Sequence, residues 1–186
     1  MRYIINRLAP AVVILLSVVV LASCSDRAQA DQAINNANKS ISEHNELFAK
    51  ARSTYAAVKQ KIESGDDPSE EKDSIAEAKN TLEKARKHLQ DARESLGTVA
   101  DLDVDPSVTK YARLQSEAMD AQLAAEAKEI EFYGILEEDP ALQSNREKAI
   151  DLLSEVGNDY QKAKKIYDEA QKVADANPKL IEAAPE

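Results

Sequence analysis

Tryptophan is absent from the 186 residues, cysteine occurs once, histidine twice and glycine four times. One cysteine excludes a disulfide framework within the chain. The scarcity of glycine, histidine and cysteine leaves no Gly-rich phosphate loop, no nucleophile elbow and no His/Cys cluster. Paired buried carboxylates are not expected either, because the apolar periodicity described below leaves few places for catalytic polar groups to converge, so the chain reads as a non-enzyme. Positive charge is also in deficit, with 24 Lys and Arg against 34 Asp and Glu. Nucleic acid and anionic headgroups are poor partners for such a surface. No apolar run reaches the roughly 20 residues of a membrane span.

The apolar run that does exist, Leu8 to Ala22, is broken only by Pro10 and Ser17 and follows Arg2 and Arg7. A charged start followed by a short apolar stretch is the pattern of an export signal. It ends in Leu21-Ala22-Ser23-Cys24, which resembles the bacterial lipobox. The resemblance implies that residues 1–23 are a lipoprotein signal peptide recognised through Leu21, Ala22 and Ser23. It also implies that Cys24 is the lipid attachment site and mature N-terminus, carrying a covalent diacylglycerol with or without a further N-acyl lipid; no other cofactor is expected. Two alternatives stay open: cleavage as a plain secretory signal, leaving a free thiol, and an uncleaved anchor. Ser25 in place of aspartate resembles the sorting pattern of outer-membrane lipoproteins. The expected location is the cell membrane or outer membrane, facing periplasm or exterior. Without residues 1–23, 22 basic and 34 acidic residues remain, a net −12.

Abundant Ala, Glu, Lys, Gln and Asp point to long helices with solvated faces. The expected fold class is all-α, an antiparallel up-down-up-down four-helix bundle with coiled-coil-like seams. A tether would occupy 24–30, helices about 31–64, 68–96, 106–137 and 140–176, and a flexible tail 178–186. The first seam steps by threes and fours through Ile34, Ala37, Ile41, His44, Phe48, Ala51, Tyr55, Val58 and Ile62. The second runs Ile75, Ala78, Leu82, Ala85, Leu89, Ala92, Leu96, and the third Tyr111, Leu114, Ala118, Ala121, Ala125, Phe132, Ile135. The fourth runs Leu142, Arg146, Ala149, Leu153, Val156, Tyr160, Ala163, Tyr167, Ala170, Ala174. Asp67-Pro68, Asp105-Pro106 and Asp139-Pro140 each offer an N-cap followed by proline at the first helical position, with Ser144 and Glu147 as a competing start for the last helix. A three-helix bundle with a mobile first helix and a pair of open, dimerising hairpins are the rival architectures.

Antiparallel folding places His44 and His88 at one height on neighbouring helices, a candidate metal or haem site. A polar seam residue fixing register is the competing reading. Both hairpin turns would lie at the end away from the membrane. There Asp66, Asp67, Glu70 and Glu71, with Glu63 close by, would stand beside Glu137, Glu138 and Asp139 as a candidate surface for a cation or a basic partner. Helix-capping accounts for some of these acids without a partner. The functional expectation is a membrane-tethered scaffold, spacer or accessory interaction subunit of the bacterial cell envelope, with a protein partner or self-association. The alternative is a periplasmic or extracellular protein holding a small ligand or metal within the bundle.

Overall fold

A computed structural model describes residues 24–177. The signal segment 1–23, with Leu21, Ala22 and Ser23, and the tail 178–186 lie outside the described residues. Four α-helices and no strand are found among them: α1, Cys24–Ser64; α2, Lys72–Gly97; α3, Pro106–Glu138; α4, Arg146–Ala176. Short 3-10 turns at Pro68–Glu71 and Thr98–Asp101 enter and leave α2.

The ends of the elements follow from local chemistry. Gly65 takes φ 104, open to a residue without Cβ, and its N–H and that of Asp66 return to the carbonyls of Ile62 and Lys61 at 3.1 Å each. These two bonds satisfy carbonyls that the last turn of α1 would leave unpaired. Asp67 and Asp105 cap as expected, their carboxylates accepting from the N–H of Ser69 and Ser107 at 2.9 and 2.8 Å. Asp139 behaves differently. Its carboxylate accepts from the N–H groups of Gln143, Ser144 and Asn145, while Leu142 adopts φ 50. The chain therefore loops around this carboxylate, and α4 begins at Arg146 rather than at Pro140.

At the other end, residues 24–30 are not a loose tether. α1 is helical from Cys24, Ala30 is already buried, and the Asp26 carboxylate accepts from the N–H of Asp103 at 3.1 Å.

Contacts between consecutive helices pair rising numbers with falling ones. On α1 and α2 these are Glu43 with His88 and Lys50 with Glu77. On α2 and α3 they are Lys79 with Glu137 and Arg93 with Asp120. On α3 and α4 they are Lys128 with Asp159 and Lys148 with Glu131. Contacts between α1 and α3 rise together, His44 with Glu126 and Arg52 with Glu129.

The second seam is buried along its whole length, and the first is buried or half-buried throughout. The fourth needs correction. Leu152 is buried, whereas Leu153 is 40% exposed and Arg146 is exposed. Both Leu152 and Leu153 satisfy three-four spacing between Ala149 and Val156, so periodicity alone does not separate them.

The core forms two main apolar clusters. One joins Ala30, Ile34, Leu89, Leu96, Val99, Val108 and Ala174 at the Cys24 end. The other joins Val58, Ile75, Leu82, Phe132, Leu136 and Leu152 beside the two hairpin turns. Between them lie a smaller apolar cluster of Ala125, Val156 and Tyr160, with Phe48 packed against it, and a set of buried polar groups.

Candidate functional site

α3 carries a second periodic stripe. Gln115, Met119, Gln122, Glu126, Glu129 and Tyr133 follow one another in steps of four and three, and all six are buried. Paired buried carboxylates are not expected from the sequence, yet this stripe carries two. Glu126 is 0% exposed and Glu129, one turn later, 5%. Uncompensated ionised groups at such positions would be very costly, so each needs partners.

Glu129 is fully engaged. One oxygen accepts from Arg52 Nη2 on α1 and from the Tyr160 hydroxyl on α4, both at 2.8 Å. The other accepts from the Tyr133 hydroxyl at 2.9 Å. The Arg52 guanidinium also lies over the rings of Phe48 and Tyr160, 5.0 and 5.2 Å from their centroids. Burial works against the Arg52 cation, but Glu129 and Tyr160 outweigh it and hold the group more basic than a free arginine. Burial, and after it the same carboxylate, pushes Tyr133 and Tyr160 well above the ordinary phenol range. Tyr55 is pushed up to about 12 by burial and then by Glu129.

Glu126 is engaged on one side only. Its Oε1 accepts from His44 Nε2 at 2.8 Å and from Gln122 Nε2 at 2.9 Å, while Oε2 has no hydrogen-bond partner. The His44 Nδ1 faces Asn45 Oδ1 at 3.1 Å, and the ring stacks on Phe48 with centroids 5.3 Å apart. Nε2 as donor is assigned from this network. Gln122 Oε1 accepts from the Tyr167 hydroxyl at 3.0 Å, and burial followed by the Glu126 charge raises the Tyr167 phenol.

A hydrogen-bonded His–Glu pair is the arrangement general acid–base chemistry uses. Here it is sealed, since His44 is 1% exposed and Glu126 is not exposed at all. Among the groups of this layer, the Arg52 side chain keeps some contact with solvent, at 27% exposure.

The two histidines do not build one site. His88 sits at the expected height but turns to Glu43, its Nδ1 3.0 Å from the carboxylate, whereas His44 turns inward to Glu126. Among the described residues, no three His, Cys, Asp or Glu side chains are arranged to hold a metal ion.

The acidic turns are also less uniform than the sequence implies. Glu71 points inward, 5% exposed and 2.8 Å from Lys61 Nζ, because it ends a 3-10 turn whose tighter winding changes the direction of its side chain. Glu137, near a helix C-terminus where an acid is disfavoured, is met by Lys79 Nζ at 2.6 Å. Asp67 and Asp139 are occupied with backbone N–H groups, which hold their carboxyls below the usual range. Asp66, Glu70 and Glu138 remain exposed, as does Glu63, 3.7 Å from Lys59. A surface hollow between Ser144, Lys148, Leu152 and Glu155 contains neither the buried layer nor these exposed acids.

Compared with known proteins, the chain matches no protein family, no curated protein and no solved structure, so a functional reading rests on its own residues.

Proposed function

We propose that this chain is a non-enzymatic, lipid-tethered helical protein of the bacterial cell envelope, acting through its length and surface as a scaffold, spacer or accessory subunit. The observation that carries the reading is the sealing of the His44–Glu126 pair: the residues best suited to acid–base chemistry are spent on one another, with no exposed face for a substrate. The architecture proposed with it is an up-down-up-down four-helix bundle with coiled-coil-like seams. The falling pairings between consecutive helices and the rising pairings between α1 and α3 support it.

The bilayer is the first proposed partner, through diacylglycerol on Cys24, with or without an N-acyl lipid; the location is the cell membrane or outer membrane, facing outward or into the periplasm. A protein partner or a second copy of the chain is the other, and nucleic acid is disfavoured by the net charge. The test is fractionation of cells with mass spectrometry of the N-terminal peptide. The expected result is membrane association with a thioether lipid on Cys24, abolished by Cys24→Ala. A soluble chain with a free Cys24 thiol would contradict the reading.

One observation favours a second reading, a small ligand or metal held inside the bundle: the unpartnered Oε2 of Glu126. Elemental analysis and a Soret band after haem addition test it. A stoichiometric metal or a haem spectrum lost in Glu126→Gln would support it, and neither signal appearing would remove it.

A further inference from the structure

We infer that the end of the molecule formed by the first turns of α1, the 98–105 connector and the last turn of α4 rests directly on a bilayer surface, with no spacer between anchor and bundle. The inference rests on the membrane attachment proposed above, and holds whether the anchor is lipid on Cys24 or an apolar segment left in place before it.

The reason is a lack of slack. A chain that hangs from a membrane by a linker needs residues without tertiary contacts, and none separate Cys24 from the packed core. α1 is helical from Cys24, and the Asp26 carboxylate is tied to the connector at Asp103. The Arg27 side chain is 15% exposed, and Ala30 and Ala33 are buried at 3% and 8%. The same cluster includes Val99 from the connector side, Val108 from the start of α3, and Ala170 and Ala174 from the end of α4. These segments therefore lie level with the first turns of α1 and would reach the headgroups together. Seven extended residues would have added roughly 23 Å of reach. Instead the height of the hairpin turns is set by α1 itself, about 62 Å for its 41 residues at about 1.5 Å each.

The chemistry of this end selects the surface. Asp101, Asp103 and Asp105 are exposed on the connector, where the Asp103 N–H meets the Asp26 carboxylate. An anionic leaflet would repel them, so the end fits zwitterionic headgroups.

The full chain carrying its native N-terminal anchor is placed in vesicles of zwitterionic phospholipid, with a donor dye on Ala100→Cys or on Ser69→Cys and an acceptor in the headgroup plane. Transfer from position 100 is expected to exceed that from position 69 several-fold. A Gly-Ser linker inserted between Ser25 and Asp26 is expected to reduce transfer at 100 by adding the slack the native chain lacks. Membrane-bound chain with equal transfer from the two positions, or with transfer at 100 unaffected by the linker, overturns the direct mounting while leaving the anchoring intact. Chain that does not float with the vesicles overturns the anchoring, and the inference with it.

Discussion

The two ends of this protein and its middle are held together in different ways. At the ends, residues such as Val58, Ile75 and Leu136 on one side and Ile34, Leu96 and Val99 on the other meet through apolar surface. Such contact is strong but non-directional, and it tolerates sliding of one helix past another. In the middle, Arg52, Tyr133 and Tyr160 converge on Glu129, and His44 and Gln122 on Glu126, through bonds of 2.8 to 2.9 Å. Such bonds are directional, so displacement of α1 along α3 would strand polar and charged groups in the core. Buried ion pairs are often no better for stability than well-packed apolar residues. The difference suggests a division in which the ends supply stability and the middle supplies register and helix identity.

The largest expected effect comes from opening the middle on one side. Glu129→Leu removes the shared acceptor of Arg52, Tyr133 and Tyr160 and should cost about 3–5 kcal/mol in urea unfolding. A loss under about 1 kcal/mol would mean that the layer relaxes to solvent and imposes nothing. Ile75→Ala, in a site 0% exposed, tests the apolar end and should cost about 2–5 kcal/mol through lost transfer energy and a cavity. If it costs much less, that end is loosely packed and the contrast fails.

Alkaline pH loads both regions through their tyrosines. Tyr55, Tyr111, Tyr133, Tyr160 and Tyr167 all have phenols raised by burial. A folded-state value above the unfolded value of about 10 favours the protonated form in the native state, so this stabilisation is complete below that pH and declines above it. Each such tyrosine loses up to about 1.4 kcal/mol per pH unit between its unfolded and folded values. Phenolate absorbance from these residues should therefore rise together with loss of helical circular dichroism. Ionisation with the helices intact would show that the layer is open to hydroxide. The smallest effect concerns neither region: at Gly157 in α4 a methyl group would meet nothing within 4 Å, and Gly157→Ala should gain about 1 kcal/mol. A loss there would reveal a contact on the outer face of α4.

The apolar seams were legible because Ile, Leu and Ala at three-four steps have one physical reading. The polar stripe on α3 follows the same steps, but Gln122, Glu126 and Glu129 are also what a solvated flank contains. The available signal was the continuity of their spacing with Met119 and Tyr133, together with Arg52 two turns after His44 on α1. The start of α4 was obscured for a different reason. Asp139-Pro140 has the same local chemistry as Asp67-Pro68 and Asp105-Pro106, yet its carboxylate gathers three loop N–H groups. The length of α1 was hidden because the polar residues from Ser25 to Asp31 look like a linker until Asp26 finds Asp103 across the chain.

The division between ends and middle is tested most directly by equilibrium unfolding of His44→Leu, Glu126→Leu and the double variant. Each single change leaves one buried group without its partner and should cost about 3 kcal/mol or more, while the double variant should return to within about 1 kcal/mol of the parent. Losses that simply add in the double variant would contradict the account, because the pair would then have no coupling to act as a key between α1 and α3.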